Sequence, residues 1–202
     1  AARIDSGTSF SVWAPNAKTG VELVLADRRL AMTGIGDGRY EITVPGVGAG
    51  TRYQFALDGG DPRPDPYSRS QPEGVHGPSE VIDPTFAWTD GAWGGLHAEG
   101  EVIYELHVGT FTEAGTFVAL IDELAELKRL GITAIELMPV HQFMHDHRLL
   151  DLGLRNYWGY NTVGFFAPHF QYAATRHAGG AVAEFKTMVK AFHDAGIEVI
   201  LD

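Results

Sequence analysis

Short apolar stretches separated by turn residues make up the first 85 residues of the chain. Four stretches are rich in β-branched and aromatic residues, and in three of them the apolar positions recur at every second residue, as at Val21, Leu23 and Leu25. This alternation predicts strands with one buried face. The predicted strands cover residues 8–15, 21–26, 38–45 and 51–59. Several short strands at regular spacing predict an antiparallel β-sandwich.

After residue 100 the apolar residues form longer and denser runs. The runs at 101–108, 132–140 and 197–201 are nearly continuous, as in strands that are buried on both faces. Two segments between them, residues 116–131 and 181–196, have apolar residues at helical spacing and end on a glycine, which favours a helix stop. The resulting order β-α-β-α-β predicts parallel strands with right-handed crossovers. The predicted fold class is therefore mixed β and α/β.

Other segments lack a regular apolar period. Residues 58–88 are dense in proline and glycine, and they predict an irregular connection between the two halves. Residues 141–180 separate the second strand from its helix, whereas ordinary βα loops have about 2–6 residues. In a parallel barrel such loops lie at the carboxyl face, where active sites are built. The pattern therefore predicts a functional site within residues 141–180.

Composition excludes several kinds of partner. At 202 residues with 45% apolar content, the chain suits one or two globular domains. The formal charge of −11 makes nucleic acid a poor partner. No apolar run approaches the ~20 residues of a membrane span, and the start is not a signal peptide. Because cysteine is absent, there are no disulfides or thiolate metal sites. We expect a cytoplasmic protein with no membrane association, no cofactor and no obligate protein partner.

Aromatic residues crowd into the segment RNYWGYNTVGFFAPHFQY at residues 155–172. They are Tyr157, Trp158, Tyr160, Phe165, Phe166, Phe170 and Tyr172. Sugar rings present flat C–H faces that pack on aromatic rings, while asparagine, tyrosine and histidine can bond the hydroxyl groups. The segment therefore predicts a carbohydrate site. The alternative is a small aromatic core that holds the loop in place, and for any single ring the spacing alone favours this alternative.

Several motifs resemble one family of enzymes. A resemblance to the α-amylase superfamily, glycoside hydrolase family 13, is carried by the segments LKRLGITAIELMPVH, NYWGYNTVGFFAP and GIEVILD, in this order along the chain. The amino-terminal half resembles the β-sandwich of malto-oligosyltrehalose trehalohydrolases in the segments FSVWAPNAKTGVELVL and DPYSRSQPEGVHGPSEVID. This β-sandwich belongs to the group that includes carbohydrate-binding module family 48. The carboxyl half resembles glycogen debranching enzymes of the isoamylase type in the segments HRLLDLGLRNYWGYNT and EFKTMVKAFHDAGIEVILD. The two halves therefore resemble different subfamilies.

This resemblance implies a division of the chain. Residues 1–85 are expected to form the β-sandwich, residues 86–100 a connector, and residues 101–202 the first three βα units of a (β/α)8 TIM barrel. In the family the nucleophile follows the fourth strand and the acid/base follows the fifth. Both are therefore expected beyond Asp202, in a truncated enzyme, and no catalytic residue is assigned. We expect the 202-residue chain to be inactive by itself.

The resemblance also implies which residues bind substrate. Tyr160 matches the tyrosine that lines the sugar subsite at the point of cleavage. Trp158, Asn161 and Asp202 are expected beside it, with Asp202 as a hydrogen-bonding residue at the mouth of the barrel. The expected ligand is an α-glucan or a malto-oligosaccharide, and no metal is expected.

The implied activity is that of a retaining glycoside hydrolase. A malto-oligosyltrehalose trehalohydrolase, which cleaves an α-1,4 bond and releases trehalose, is the first choice. Hydrolysis of α-1,6 bonds by a debranching enzyme is the alternative activity. A further alternative is that the chain has no activity and only binds glucan through its β-domain. An unrelated α/β fold with a switch-point site fits the element order, but the Gly-rich phosphate turn that it needs is absent after the first strand.

Other polar residues have competing interpretations. The remaining carboxylates near the site lack a partner at catalytic spacing, and a structural or solvated role is favoured for Glu105, Glu136, Asp146 and Asp151. The motif HQFMHDH could bring a metal to His141, His145 and His147, but without a closing ligand a solvated loop is favoured. His107 is expected in the core or at the barrel mouth.

Two tryptophans raise a separate question. Trp13 lies in a predicted strand, and Trp88 lies in the connection that follows the sandwich. Either indole could stack on a glucan. Buried anchors of the sandwich are the favoured interpretation, because large aromatic residues usually fill the core of such a fold.

Overall fold

The computed structural model describes residues 1–96 and 98–202. Eight strands lie within the first 80 residues: β1 (Ala2–Ile4), β2 (Gly7–Trp13), β3 (Val21–Leu25), β4 (Arg29–Ala31), β5 (Thr33–Gly36), β6 (Arg39–Pro45), β7 (Arg52–Leu57) and β8 (Ser79–Glu80). They form two antiparallel sheets with the strand orders β1-β2-β6-β5 and β4-β3-β7-β8. Alternation predicted β2, β3 and β6, and content of aromatic and β-branched residues predicted β7, whereas the four shorter strands have too few residues to show a period.

One apolar core lies between the two sheets. Phe10 of β2, Leu23 of β3 and Phe55 of β7 are almost fully buried. The ring of Tyr53 meets Phe10 at 4.9 Å and Phe55 at 5.7 Å, both edge to face, and its hydroxyl donates a hydrogen bond to Asp65 at 2.6 Å. Because burial of one such side chain contributes about 1.5–3 kcal/mol, this cluster accounts for much of the stability of the two sheets.

The prediction that Trp13 and Trp88 are buried anchors is wrong. Successive residues of a strand point to opposite faces, so Trp13 points away from the core that receives Val12. Its side chain is 60% exposed, and the indole Nε1 donates to the carbonyl oxygen of Asp37 at 3.0 Å. Trp88 lies outside the sheets, is 46% exposed, and meets the ring of Phe86 edge to face at 4.7 Å.

Five further strands follow: β9 (Ile103–Leu106), β10 (Ala134–Leu137), β11 (His141–Phe143), β12 (Thr162–Pro168) and β13 (Glu198–Leu201). Strands β9, β10 and β13 form one sheet with β10 in the middle, and both pairings are parallel. The predicted parallel arrangement of these three strands is confirmed. Since Glu136 of β10 lies opposite Glu105 of β9, both carboxylates are on the same face of the sheet.

The helices are α1 (Val108–Phe111), α2 (Leu124–Arg129), α3 (His147–Asp151) and α4 (Gly180–Asp194). The helix predicted at residues 116–131 begins as a 3₁₀ segment, Val118–Glu123, before it continues as α2, and 3₁₀ geometry is common at helix ends. Both predicted stops are confirmed, because Gly131 and Gly196 have φ of +80° and +76°, which glycine adopts without strain. Within the described residues, no helix has the length and apolar character needed to span a membrane.

The long segment after β10 is more ordered than the expected irregular loop. Strands β11 and β12 pair as an antiparallel hairpin with register shifts, and α3 lies between them. The strand β12 was not predicted from the sequence, because Phe165 and Phe166 are adjacent and its apolar residues therefore do not alternate. This hairpin gives residues 144–161 a firm base at the carboxyl edge of the parallel sheet.

The two halves of the chain contact each other through buried polar groups. The backbone N–H of Gly179, at the start of α4, donates to Oε2 of Glu80 in β8 at 2.9 Å. The side-chain Nε2 of Gln142 in β11 donates to the carbonyl oxygen of Gln71 at 3.0 Å. These contacts connect the β-sheets to the helix and the hairpin that support the loop.

Candidate carbohydrate site

The carboxyl edge of the parallel sheet brings two predicted site residues together. Asp202 directly follows β13, and its backbone N–H donates to the carbonyl oxygen of Leu137 at 3.1 Å, which holds it in line with the sheet. The hydroxyl of Tyr160 donates to Oδ2 of Asp202 at 2.6 Å. This hydrogen bond joins the long loop to the end of the strand, although the two residues are 42 positions apart.

The surroundings of Tyr160 are acidic. Its hydrogen bond to Asp202, followed by partial desolvation and by the negative charges of Asp202, Glu105 and Glu136, raises the pKa of Tyr160 to about 12. The phenol therefore stays protonated at neutral pH. The side chain is 60% exposed. An exposed ring face next to carboxylates that accept hydrogen bonds is the combination that a sugar ring requires.

Trp158 stands beside a stack of rings. The ring of Tyr157 lies flat on His107 with 4.8 Å between centroids, and Trp158 meets Tyr157 edge to face at 5.1 Å. His107 Nε2 donates to the carbonyl oxygen of Tyr157 at 2.9 Å, which fixes the backbone next to Trp158. The indole is 56% exposed, so it adds a second aromatic surface near Tyr160.

Gly159 explains how Trp158 and Tyr160 come to point outward. Its φ is +83°, and an added Cβ would lie 3.0 Å from the ring of Phe143 and 3.1 Å from Pro139. Any other residue would be strained and crowded here. Its N–H donates to Oδ1 of Asn156 at 3.2 Å, which closes the turn. Sequence reasoning missed Gly159 and Asn156, although a glycine between two large aromatic residues was a usable signal.

Asn161 does not join Tyr160 and Asp202 through its side chain. Its Nδ2 donates to Oδ2 of Asp146 at 3.3 Å, while its carbonyl oxygen accepts from the N–H of Met144 at 3.0 Å. The residue therefore closes the loop above the hairpin. A substrate contact of Asn161 stays a prediction.

The histidines of the site have structural partners. His107 is buried as expected, and His145 Nδ1 accepts from the N–H of Asn156 at 3.1 Å. Burial lowers the pKa of His141 and, together with the positive charge of Arg155, that of His145, so both rings are neutral at pH 7. In the part of the chain that the structure describes, no group of three His, Asp or Glu side chains is arranged to hold a metal ion.

Comparison with known proteins identifies relatives of both halves. Residues 1–84 match the family model of carbohydrate-binding module 48 (isoamylase N-terminal domain). A malto-oligosyltrehalose trehalohydrolase of Deinococcus radiodurans is 42% identical over 198 residues, which cover 98% of this chain and 30% of that protein. A glycogen operon protein GlgX homolog of Mycobacterium bovis is 56% identical over 135 residues, which cover 61% of this chain and 19% of that protein.

A solved structure extends the similarity to three dimensions. The pullulanase of Anoxybacillus sp. LM18-11, complexed with maltotetraose, superposes with a TM-score of 0.77 at 29% identity, over 98% of this chain and 34% of that one. The chain thus spans about a third or less of the length of each relative.

Proposed function

We propose that this chain, as a relative of the glycoside hydrolase family 13 enzymes, forms the amino-terminal part of an α-glucan-active hydrolase. In this proposal residues 1–84 are a carbohydrate-binding module 48. The observation that carries the proposal is the Tyr160–Asp202 pair at the carboxyl edge of the sheet. In parallel α/β folds, ligands bind at the carboxyl ends of the strands, which form this edge of the sheet.

In this proposal the three parallel strands are the first three units of a (β/α)8 barrel. Residues 1–85 are the sandwich module, residues 86–100 the connector, and residues 101–202 the start of the barrel. Support comes from the order β9, β10, β13 with parallel register and with a helical segment in each crossover.

The proposed reaction is hydrolysis with retention, through two carboxylates about 5–5.5 Å apart and a covalent glycosyl-enzyme. By the family resemblance those carboxylates follow the fourth and fifth strands. The residues of this chain would hold the sugar: the ring of Tyr160 packs on its C–H face, and Asp202 orients the phenol. Trehalose release from malto-oligosyltrehalose is the first candidate, because that relative covers nearly the whole chain, and α-1,6 debranching is the second.

A binding experiment tests the proposed site. We expect the 202-residue chain to bind maltohexaose, and Tyr160→Ala to weaken binding about tenfold or more, since the ring and its hydroxyl are both lost. Calorimetric titration measures the affinity. Tyr67→Ala is the matched control, because Tyr67 is also a largely exposed tyrosine but stacks on Phe166, whereas the Tyr160 hydroxyl bonds Asp202. Equal losses in the two variants would contradict the proposal, and so would steady release of reducing sugar or trehalose by this chain.

The exposure of two indoles favours a second candidate, a glucan-binding role for the sheets and the connector. Trp13 and Trp88 both present ring surface to solvent. We expect glycogen to retard the chain in a native gel, and Trp13→Ala or Trp88→Ala to abolish the retardation. Tyr160→Ala separates the two candidates, because it should leave the mobility on glycogen unchanged if only the sheets and the connector bind glycogen, and should reduce the retardation if the Tyr160 site binds it as well. An unchanged mobility of both tryptophan variants would leave the sheets with a spacer role only.

A further inference from the structure

An apolar cavity lies between the hairpin of β11 and β12, the helix α4 and the connector. It has a volume of about 400 Å³, within the range of about 300–1,000 Å³ that is typical of small-molecule sites. Its walls also include Arg69, from the segment between β7 and β8, so residues of both halves of the chain line it. Neither Tyr160 nor Asp202 contributes to these walls, and the cavity is therefore separate from the candidate carbohydrate site.

Aromatic and aliphatic side chains form most of the cavity surface. The exposed rings of Trp88, Phe165 and Phe166 line it together with Val182 and Val189 of α4. A ligand that covers such a surface removes apolar area from water, which favours binding in proportion to the area covered. The rings favour a ligand that is itself aromatic, because offset and edge-to-face ring pairs add to the gain from burial.

The charged side chains of this cavity are positive, although the chain as a whole carries a formal charge of −11. Arg69 and Lys186 line the cavity, and among residues 1–96 and 98–202 no aspartate or glutamate does. Burial lowers the pKa of His141, which also lines the cavity, so this ring is neutral at pH 7. Two positive charges on an apolar surface of an acidic protein are complementary to an anionic ligand.

Both cations keep hydrogen-bond donors for a ligand. Lys186 Nζ donates to the carbonyl oxygen of Pro84 at 3.1 Å and lies 5.6 Å from the centre of the Phe86 ring, but an ammonium group has three donors. Arg69 Nη2 donates to the carbonyl oxygen of Ala1 at 3.1 Å, and a guanidinium has five N–H donors. In the part of the chain that the structure describes, neither cation forms an ion pair, so no carboxylate neutralises these charges.

We propose that this cavity binds a small aromatic carboxylate. The ring of the ligand packs on Trp88, Phe165 and Phe166, and its carboxylate accepts hydrogen bonds from Lys186 and Arg69. The site goes beyond the proposed function, because its ligand is not a carbohydrate. Since Arg69 precedes β8, Trp88 belongs to the connector and Lys186 belongs to α4, a bound ligand joins the two halves of the chain and stabilises the folded state.

Calorimetric titration of the 202-residue chain with naphthoate and with its uncharged analogue naphthalenemethanol tests this proposal. We expect naphthoate to bind about tenfold more tightly, because only the carboxylate forms charge-assisted hydrogen bonds. Lys186→Met should remove most of this preference, whereas Lys186→Arg should retain it, since arginine keeps the positive charge. Trp88→Ala should weaken the binding of both probes by a similar factor, because it removes a ring that both probes contact.

Lys190→Met is the matched control. Lys190 is also a lysine of α4, but it pairs with Asp194 at 2.7 Å and does not line the cavity, so this variant should keep the wild-type preference for naphthoate. Tyr160→Ala should bind naphthoate as the wild-type chain does, which separates this site from the proposed carbohydrate site. The proposal is overturned if the wild-type chain does not bind naphthoate, if it binds the two probes equally tightly, or if Lys186→Met and Lys190→Met change the preference equally.

Discussion

The variant Glu80→Ala is expected to lose about 2–4 kcal/mol of unfolding free energy, because each buried donor that loses its acceptor costs about 1–3 kcal/mol. Glu80 is 4% exposed, although it is charged. Its carboxylate accepts from Arg52, from the hydroxyl of Ser70 at 2.7 Å and from the N–H of Gly179 at 2.9 Å. Alanine would leave the Ser70 hydroxyl and the Gly179 N–H without their acceptor, which is costly for buried donors, whereas Arg52 would keep its ion pair with Glu73 at 3.1 Å.

The same change should also loosen the connection between the two halves. Gly179 precedes α4, so its hydrogen bond to Glu80 fixes the start of that helix against the β-sheets. Urea unfolding, followed by circular dichroism and by tryptophan fluorescence, measures both effects. We expect the midpoint for Glu80→Ala to fall and the two probes to separate, because the halves then unfold less cooperatively.

Glu22→Ala is the matched control. Glu22 also pairs with an arginine of the sheets, Arg29 at 3.2 Å, but both side chains are partly exposed. Exposed pairs contribute about 0–1 kcal/mol, so this variant should be nearly neutral. A loss for Glu80→Ala that is no larger than that for Glu22→Ala would mean that the buried carboxylate does not hold the halves together.

Periodicity recovered the parts of the fold in which one residue pattern repeats. The alternation of Val21, Leu23 and Leu25 matches the buried face of β3, and the three apolar runs are the three parallel strands. The strand β8 could not be recognised, because it has two residues, Ser79 and Glu80, and both are polar. Its place in the sheet depends on Arg52, which is far away in sequence.

The residue types of the candidate site could be read from the sequence, but the contacts between these residues could not. The aromatic loop and the family resemblance singled out Tyr160 and Asp202, whose direct hydrogen bond depends on the turn at Gly159. Nothing in the local sequence indicated that Asn161 would bond Asp146. The exposure of Trp13, by contrast, follows from alternation, because Phe10 and Val12 face the core and the next residue must face solvent.

Acid is expected to destabilise this chain through His169, which is buried below the aromatic loop. The ring stacks on Phe143 with 3.8 Å between centroids, and burial lowers the pKa of His169 to about 3, with a smaller contribution from the charge of His145. An unfolded histidine has a pKa of about 6.5. The folded state therefore binds fewer protons than the unfolded state between these two pH values.

The sign of the effect follows from this difference. The contribution of neutral His169 to stability is complete above pH 6.5 and is lost progressively as the pH falls towards 3, up to about 5 kcal/mol. At pH 4 the expected loss is about 3 kcal/mol relative to pH 7. His169→Phe keeps a flat ring against Phe143 and cannot be protonated, so it should remove this part of the acid sensitivity.

Unfolding free energies at pH 7 and pH 4 test the prediction, and the quantity to compare is the change between the two pH values. The carboxylates contribute equally in every variant, so they cancel in this comparison. His177→Gln, at an exposed histidine, is the control and should lose as much stability on acidification as the wild-type chain. Equal losses in His169→Phe and His177→Gln would mean that His169 is protonated in the folded state at little cost. A smaller loss in His169→Phe alone would assign the acid sensitivity to the ring that underlies the aromatic loop.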